Sequence, residues 1–265
     1  MRYVIDHDYH IHSHLSACSS DPGQTTQAIL NYAVRSGMKQ ICIADHYWDS
    51  AVDGASDWYQ PQNFDHISKS KPLPQDESCR FLFGCETDMD RFFTIGCPKE
   101  RWDDFDFIIV PTTHLHMNGF TFLPEQDHVE AKRELYVKRF EAFLNAGLPY
   151  HKVGLAHITC SLLHSTGPYE VLEGIDDATY ARLFAGCADV GCGVELNIGL
   201  WMLARNEGIE TLMLPYRIAK QQGCKFYLGS DSHHPIGLAQ AMGRFNLMID
   251  MLELEESDKF QLVKA

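Results

Sequence analysis

Apolar residues in this chain fall into short runs, and the stretches between the runs have a different rhythm. Runs at 3–5 continuing into 8–12, at 40–44, 80–85, 105–110, 153–156, 193–196 and 225–228 have the length and residue types of strands. Between them, apolar positions recur at helical spacing, as Ala28, Ile29, Tyr32 and Ala33 do within 24–37, where Gly37 supplies a stop. The same reading predicts helices over 127–146, ended by Gly147 and Pro149, over 176–190, over 210–222, ended by Gly223, and over 236–252. Strands alternating with helices predict an α/β fold with a parallel sheet. Some seven such units in 265 residues favour a closed barrel over an open sheet, in one domain spanning 1–265. The stretch 48–78 is long and irregular, and it carries Trp48, Trp58 and Tyr59. Irregular loops of that length in a compact domain are usually functional, so it reads as a lid or insertion loop.

The ends of the strands carry the chemistry. After the first come Asp8, His10 and His12; after the second, Asp45 and His46; the third ends in Glu86. His114 follows the fourth, His157 the fifth, Glu195 ends the sixth, and Asp231 and His233 follow the seventh. In parallel barrels, active sites form at this end of the strands. His10 and His12 are two apart, so an extended strand points both to one face, and Asp231 and His233 repeat that spacing. Neutral imidazoles with carboxylates suit zinc, manganese or iron, and a carboxylate such as Glu86 can bridge two ions. Each element alone has an ordinary explanation: an exposed strand-end histidine, a surface carboxylate, a satisfied core imidazole. Metal-type residues at six strand ends make the joint pattern a metal-dependent hydrolase.

Composition narrows the partners. Hydrophobic residues make up 45% and charged residues 22%, which is ordinary for a soluble globular chain. No apolar run approaches the ~20 residues of a membrane helix. The first residues, crowded with histidines, lack the apolar core of a signal peptide, so a cytoplasmic protein is expected. Nine cysteines, an odd number with no CxxC pair, fit that compartment and read mostly as buried thiols. A net charge of −14 without a basic stripe disfavours nucleic acid, yet bound cations would still admit a small anionic substrate.

The motifs together resemble the PHP family, the polymerase and histidinol phosphatase type of metal-dependent phosphoesterases. The resemblance rests on Asp8-Tyr-His10-Ile-His12, Ala44-Asp45-His46, Gly84-Cys85-Glu86, the single His114 and His157, and Gly229-Ser230-Asp231-Ser232-His233. It implies a distorted (β/α)7 TIM-like barrel with two to three divalent ions at the C-terminal ends of the strands. One ion would take His10, His12, Glu86 and Asp231, a second Glu86, His114 and His157, and a third His46 and His233. The third is usually completed by a residue shortly after HxH; Asp21 is favoured here, ahead of Cys18 and His14. The implied activity is hydrolysis of a small phosphomonoester, with Glu86, Asp231 and His233 as catalytic residues. Histidinol-phosphatase relatives usually carry an arginine after the E-x-N segment. Here Trp201 stands near that place, so Arg205 and Arg217 are the candidates to grip phosphate, with Trp201 in the pocket wall. The alternatives are a metal-dependent amidohydrolase, a nuclease-type phosphodiesterase, and a non-catalytic protein with a degenerate metal site.

Overall fold

The computed structural model describes residues 1–199 and 208–262. Eight parallel strands are β1 (His7–Ile11), β2 (Gln40–Ile43), β3 (His46–Tyr47), β4 (Arg80–Thr87), β5 (Phe107–Pro111), β6 (Val153–Ala156), β7 (Gly193–Leu196) and β8 (Lys225–Leu228). They pair in the order β1-β2-β4-β5-β6-β7-β8, with β3 also on β4. β2 and β3 occupy one position in the sheet: β2 pairs with Arg80–Phe83 of β4, and His46 of β3 pairs with Glu86. The result is a nearly closed barrel of seven positions, as the α/β periodicity predicts.

Helices α1 (Thr26–Arg35), α3 (Val129–Asn145), α5 (Asp177–Val190), α6 (Ile209–Gln221) and α7 (Pro235–Met251) flank the barrel, with short α2 (Phe64–Ile67) and α4 (Tyr169–Glu173) beside them. The starts follow capping chemistry. Thr25 accepts the Ala28 N–H, and Asp176 accepts the Thr179 N–H at 2.7 Å. Gly191 ends α5 with φ 77°, a left-handed conformation that glycine adopts without a Cβ clash.

Alternation along the strands separates two cores. Ile41, Ile43, Phe81, Phe83, Ile108, Val110, Val194 and Leu228 face the helices. Cys42, Leu82, Phe107, Ile109 and Tyr227 fill the barrel interior together with Phe260. Gly154 and Gly193 make room for the Tyr227 ring: a Cβ at either would approach it to 2.5 or 2.8 Å. The lower barrel is therefore a packed plug, and open space is left to the C-terminal mouth.

Closure between β8 and β1 is unusual in using side chains. Near the mouth the main chains bond directly, His12 N–H to Ser232 O at 3.0 Å and Asp231 N–H to His10 O at 2.7 Å. Below, His7 Nε2 accepts the Leu228 N–H at 3.0 Å and Asp8 accepts the Ser230 N–H at 2.9 Å. The run 3–5 is not a strand of the barrel; Tyr3 N–H instead bonds Leu254 O at 3.0 Å, and Glu256 N–H bonds Met1 O at 2.8 Å. Among the described residues no helix is long and apolar enough to cross a membrane.

Candidate metal centre

Four backbone features deliver side chains to the mouth. The pairing of β1 with β2 shifts register between Asp8 and Ile11, and such a bulge re-aims side chains. It lets Tyr9 fill the interior while His10 and His12 both enter the mouth, fully buried. The break after β2 frees Asp45, whose carboxylate accepts from Ser13 N–H (2.7 Å), Ser13 Oγ (2.8 Å) and Ser16 Oγ (2.8 Å). On β4, the inward positions Leu82 and Gly84 continue to Glu86 and Asp88. His157 and Asp231 hold φ angles of 27° and 50°, left-handed conformations that cost non-glycine residues energy and persist where the surroundings enforce them.

Glu86 lies at the centre. Its Oε2 is 3.1 Å from His46 Nδ1, 3.3 Å from His12 Nε2 and 3.4 Å from His10 Nε2. Its Oε1 is 3.1 Å from His157 Nε2 and 3.9 Å from His114 Nε2. Asp231 Oδ1 reaches His12 Nε2 at 3.1 Å and His10 Nε2 at 3.5 Å. Three groups of donor atoms result, each within 4.8 Å: His10, His12, Glu86 and Asp231; Glu86, His114 and His157; and His12, Cys18, His46 and His233.

The outer nitrogens fix the tautomers. His10 Nδ1 donates to Glu195 (2.6 Å), His114 Nδ1 to Asp88 (3.0 Å) and His233 Nδ1 to the Asp231 carbonyl (2.8 Å). Ser16 gives its proton to Asp45 and Thr113 gives its own to the His157 carbonyl, so they accept from His12 Nδ1 and His157 Nδ1, both at 3.0 Å. With the proton committed to Nδ1, each neutral ring turns an Nε2 lone pair inward. When both rings are neutral, His10 Nε2 and His12 Nε2 turn lone pairs toward each other at 3.1 Å. That is an arrangement a shared cation satisfies, and the donor set fits divalent ions.

The electrostatics agree. Burial opposes charge on Glu86 and Asp231, but the surrounding imidazoles hold both carboxyls well below the usual range, His46 and His10 foremost at Glu86, His10 and His233 at Asp231. Burial likewise opposes protonation of His10 and His12, and the carboxylates outweigh it: His10 rises well above its ordinary value and His12 to about 9. Burial prevails at His46, which falls well below the imidazole range, and at His233, which falls to about 4. Without a cation the buried negative charge is balanced by protons on histidines, which metal ions would displace.

All eight strand-end ligands named from the sequence meet in this centre. Asp21 does not: its carboxylate accepts the Gly23 N–H at 2.7 Å in an exposed turn, and Cys18 takes the place predicted for it. His14 is exposed and directed to the Gln24 carbonyl. Arg217 is turned outward, donating to Glu210 at 3.1 Å on its own helix α6, and does not line the cavity. Trp201 and Arg205 lie outside the described residues. The stretch 48–78 packs on itself around buried Trp48 and Tyr59 and places Trp58 and Tyr59 in the wall. Sequence reasoning named Glu195 at its strand end without a role, and missed the supporting residues Asp88, Thr113 and Ser16. For Glu195 and Asp88 the signal was present, since alternation on β7 and β4 turns them inward.

The PHP domain family matches residues 8–197. The chain belongs to the PHP family. The match includes every donor up to His157, and the geometry adds Asp231 and His233 from beyond it. Two solved structures share this PHP fold. Histidinol phosphate phosphatase from Lactococcus lactis, complexed with zinc, L-histidinol and phosphate, is 17% identical with a TM-score of 0.60, covering 97% of this chain and 98% of its own. A putative histidinol phosphatase from Listeria monocytogenes is 17% identical with a TM-score of 0.59, covering 91% and 100%. No curated protein matches the chain in sequence.

Proposed function

We propose that this PHP protein is a metal-dependent phosphatase that hydrolyses a small phosphomonoester with two to three divalent ions. The observation that carries the reading is Glu86, one carboxylate in reach of five imidazoles that belong to three donor groups. The Lactococcus relative, whose fold this chain shares, is a phosphatase complexed with zinc and phosphate, which supports the same reaction class. The ions, zinc, manganese or iron, would supply water of lowered pKa and positive charge against the phosphoryl oxygens.

The chain's own residues have assignable tasks. Glu86 would hold neighbouring ions in fixed relation, and Asp231 would join His10 and His12 in the first group. Cys18, His46 and His233 would hold the third, because the one inward lone pair of His12 goes to the first, and a thiolate there favours zinc. His233 and Asp231 line the cavity with lowered pKa values, so both would act as donors to the ions and the charge on the leaving oxygen would be met by an ion. No lysine or arginine among the described residues lines the cavity, so the phosphoryl charge would be met by the ions. The long stretch 48–78 would restrict water at the mouth.

Metal content and p-nitrophenyl phosphate turnover measured on one sample test this. Two to three ions per chain and turnover that chelation abolishes and metal restores are expected. Glu86→Gln should lose most of both. Full occupancy without turnover of any phosphate ester, with hydrolysis of amides instead, would move the assignment to an amidohydrolase.

A further inference from the structure

The cavity of about 480 Å³ over the donors has two unlike sides. One is formed by Glu86, Asp231 and the imidazoles. The other is formed by Trp58, Tyr59, Met117 and Leu162. Trp58, Met117 and Leu162 come from three separate segments, the stretch 48–78 and the loops after β5 and β6. Each is half-buried, leaving apolar surface turned to the cavity.

This wall is braced from behind. Trp58 meets His46 edge-on at 4.9 Å between ring centroids and Tyr59 at 4.7 Å. Tyr59 packs on Phe120 at 5.4 Å, and Phe120 on Trp48 at 5.3 Å, in a buried cluster of their own. Trp58 Cα is thus tied to a packed unit, and its indole is pinned beside the metal centre. Among the described residues the cavity has no lysine or arginine, and no carboxylate besides Glu86 and Asp231. Sugar hydroxyls or an ammonium placed on this side would lose water and find few partners, His116 being, among the described residues, the cavity's one imidazole outside the donor groups. An aromatic or aliphatic group would instead shed apolar surface onto a preformed wall.

We propose that the wall of Trp58, Met117 and Leu162 selects phosphomonoesters whose alcohol carries an uncharged aromatic or aliphatic group, over polyol and sugar phosphates. The proposal rests on the phosphomonoesterase reading given above.

The test pairs two alkyl esters, so that leaving-group acidity does not decide the outcome: 2-phenylethyl phosphate and glycerol 3-phosphate, on the metal-reconstituted full chain. A kcat/KM ratio of about tenfold or more for the phenylethyl ester is expected, as for other apolar pocket contacts. Trp58→Ala should narrow the ratio, and Leu162→Ser should narrow it in the same sense if the first variant folds poorly. A ratio near one, or in favour of glycerol 3-phosphate, overturns the proposal and leaves the phosphatase reading standing. Calorimetry with phenylphosphonate and methylphosphonate reads the wall without turnover. Tighter binding of the phenyl compound supports the proposal even in a protein that hydrolyses neither ester, and equal binding overturns it.

Discussion

Both oxygens of Glu195 are committed to neighbours in the metal centre: Oε1 to the His10 ring at 2.6 Å, Oε2 to the His157 N–H at 2.7 Å. The residue is wholly buried and a Cβ on Gly229 would collide with it, so it has no other position to take. Glu195→Gln replaces one acceptor oxygen by a donor and unsettles the His10 tautomer. Metal affinity should fall about 10- to 100-fold, as for other outer partners of ligating histidines, measured by chelator competition. Unchanged affinity would remove Glu195 from the centre. The eight inner donors were legible in the sequence because they recur together at successive strand ends, a joint pattern that the ordinary explanation of any one of them does not cover. Cys18 and Asp21 were not separable, since the segment between β1 and α1 has no periodicity to say which side chain turns inward. The backbone answered it by giving Asp21 to the Gly23 N–H.

Strand and helix order was legible because alternation and helical spacing are both strong here. The boundaries were less so. β4 runs on to Thr87, past the predicted end at 85, and β5 begins at Phe107 because Lys99–Asp104 forms a 3-10 turn ahead of it. β3, with two residues, and the short helices α2 and α4 leave no period to detect. Helix α3 shows what an element contributes beyond packing. Its Arg139 is fully buried and donates to the Thr112, Met89 and Asp90 carbonyls and to Asp88, the carboxylate that holds His114. One guanidinium thus joins the loops after β4 and β5. Arg139→Leu removes one of the two cationic partners of the buried Asp88 and leaves three carbonyls without their donor, and should destabilise the protein by about 3–5 kcal/mol in denaturant unfolding. A loss within a few tenths of a kcal/mol would show that His114 alone suffices for Asp88.

Closure of the barrel was not legible, because a side chain accepting a main-chain N–H leaves no pattern of hydrophobicity. It makes the whole molecule sensitive to one proton. His7 Nδ1 lies 2.8 Å from Asp6, and its Nε2 receives the Leu228 N–H, which suits the neutral ring. Burial lowers the His7 pKa, and Asp6 and Glu256 oppose it while Lys259 adds to it. Below the ordinary imidazole value of about 6.5 the unfolded chain therefore binds the proton more readily than the folded one. The stability from this seam is complete above that value and is lost as pH falls through the folded pKa. Unfolding midpoints compared at about pH 7.5 and about pH 5.5 should fall less for His7→Gln than for the parent chain, and parallel falls would discount the seam. The clasp of Tyr3 to Leu254 and of Glu256 to Met1 has a consequence for connectivity. Residues 1–6 already lie beside 254–259, so a linker from the end of the described residues back to Met1 would bridge a short gap. New ends cut at Gly37, in a turn where even a Cβ would meet nothing, fall opposite the mouth. Such a circular permutant should fold and bind its metal ions, because the centre depends on which strands are neighbours and not on the order in which they are threaded.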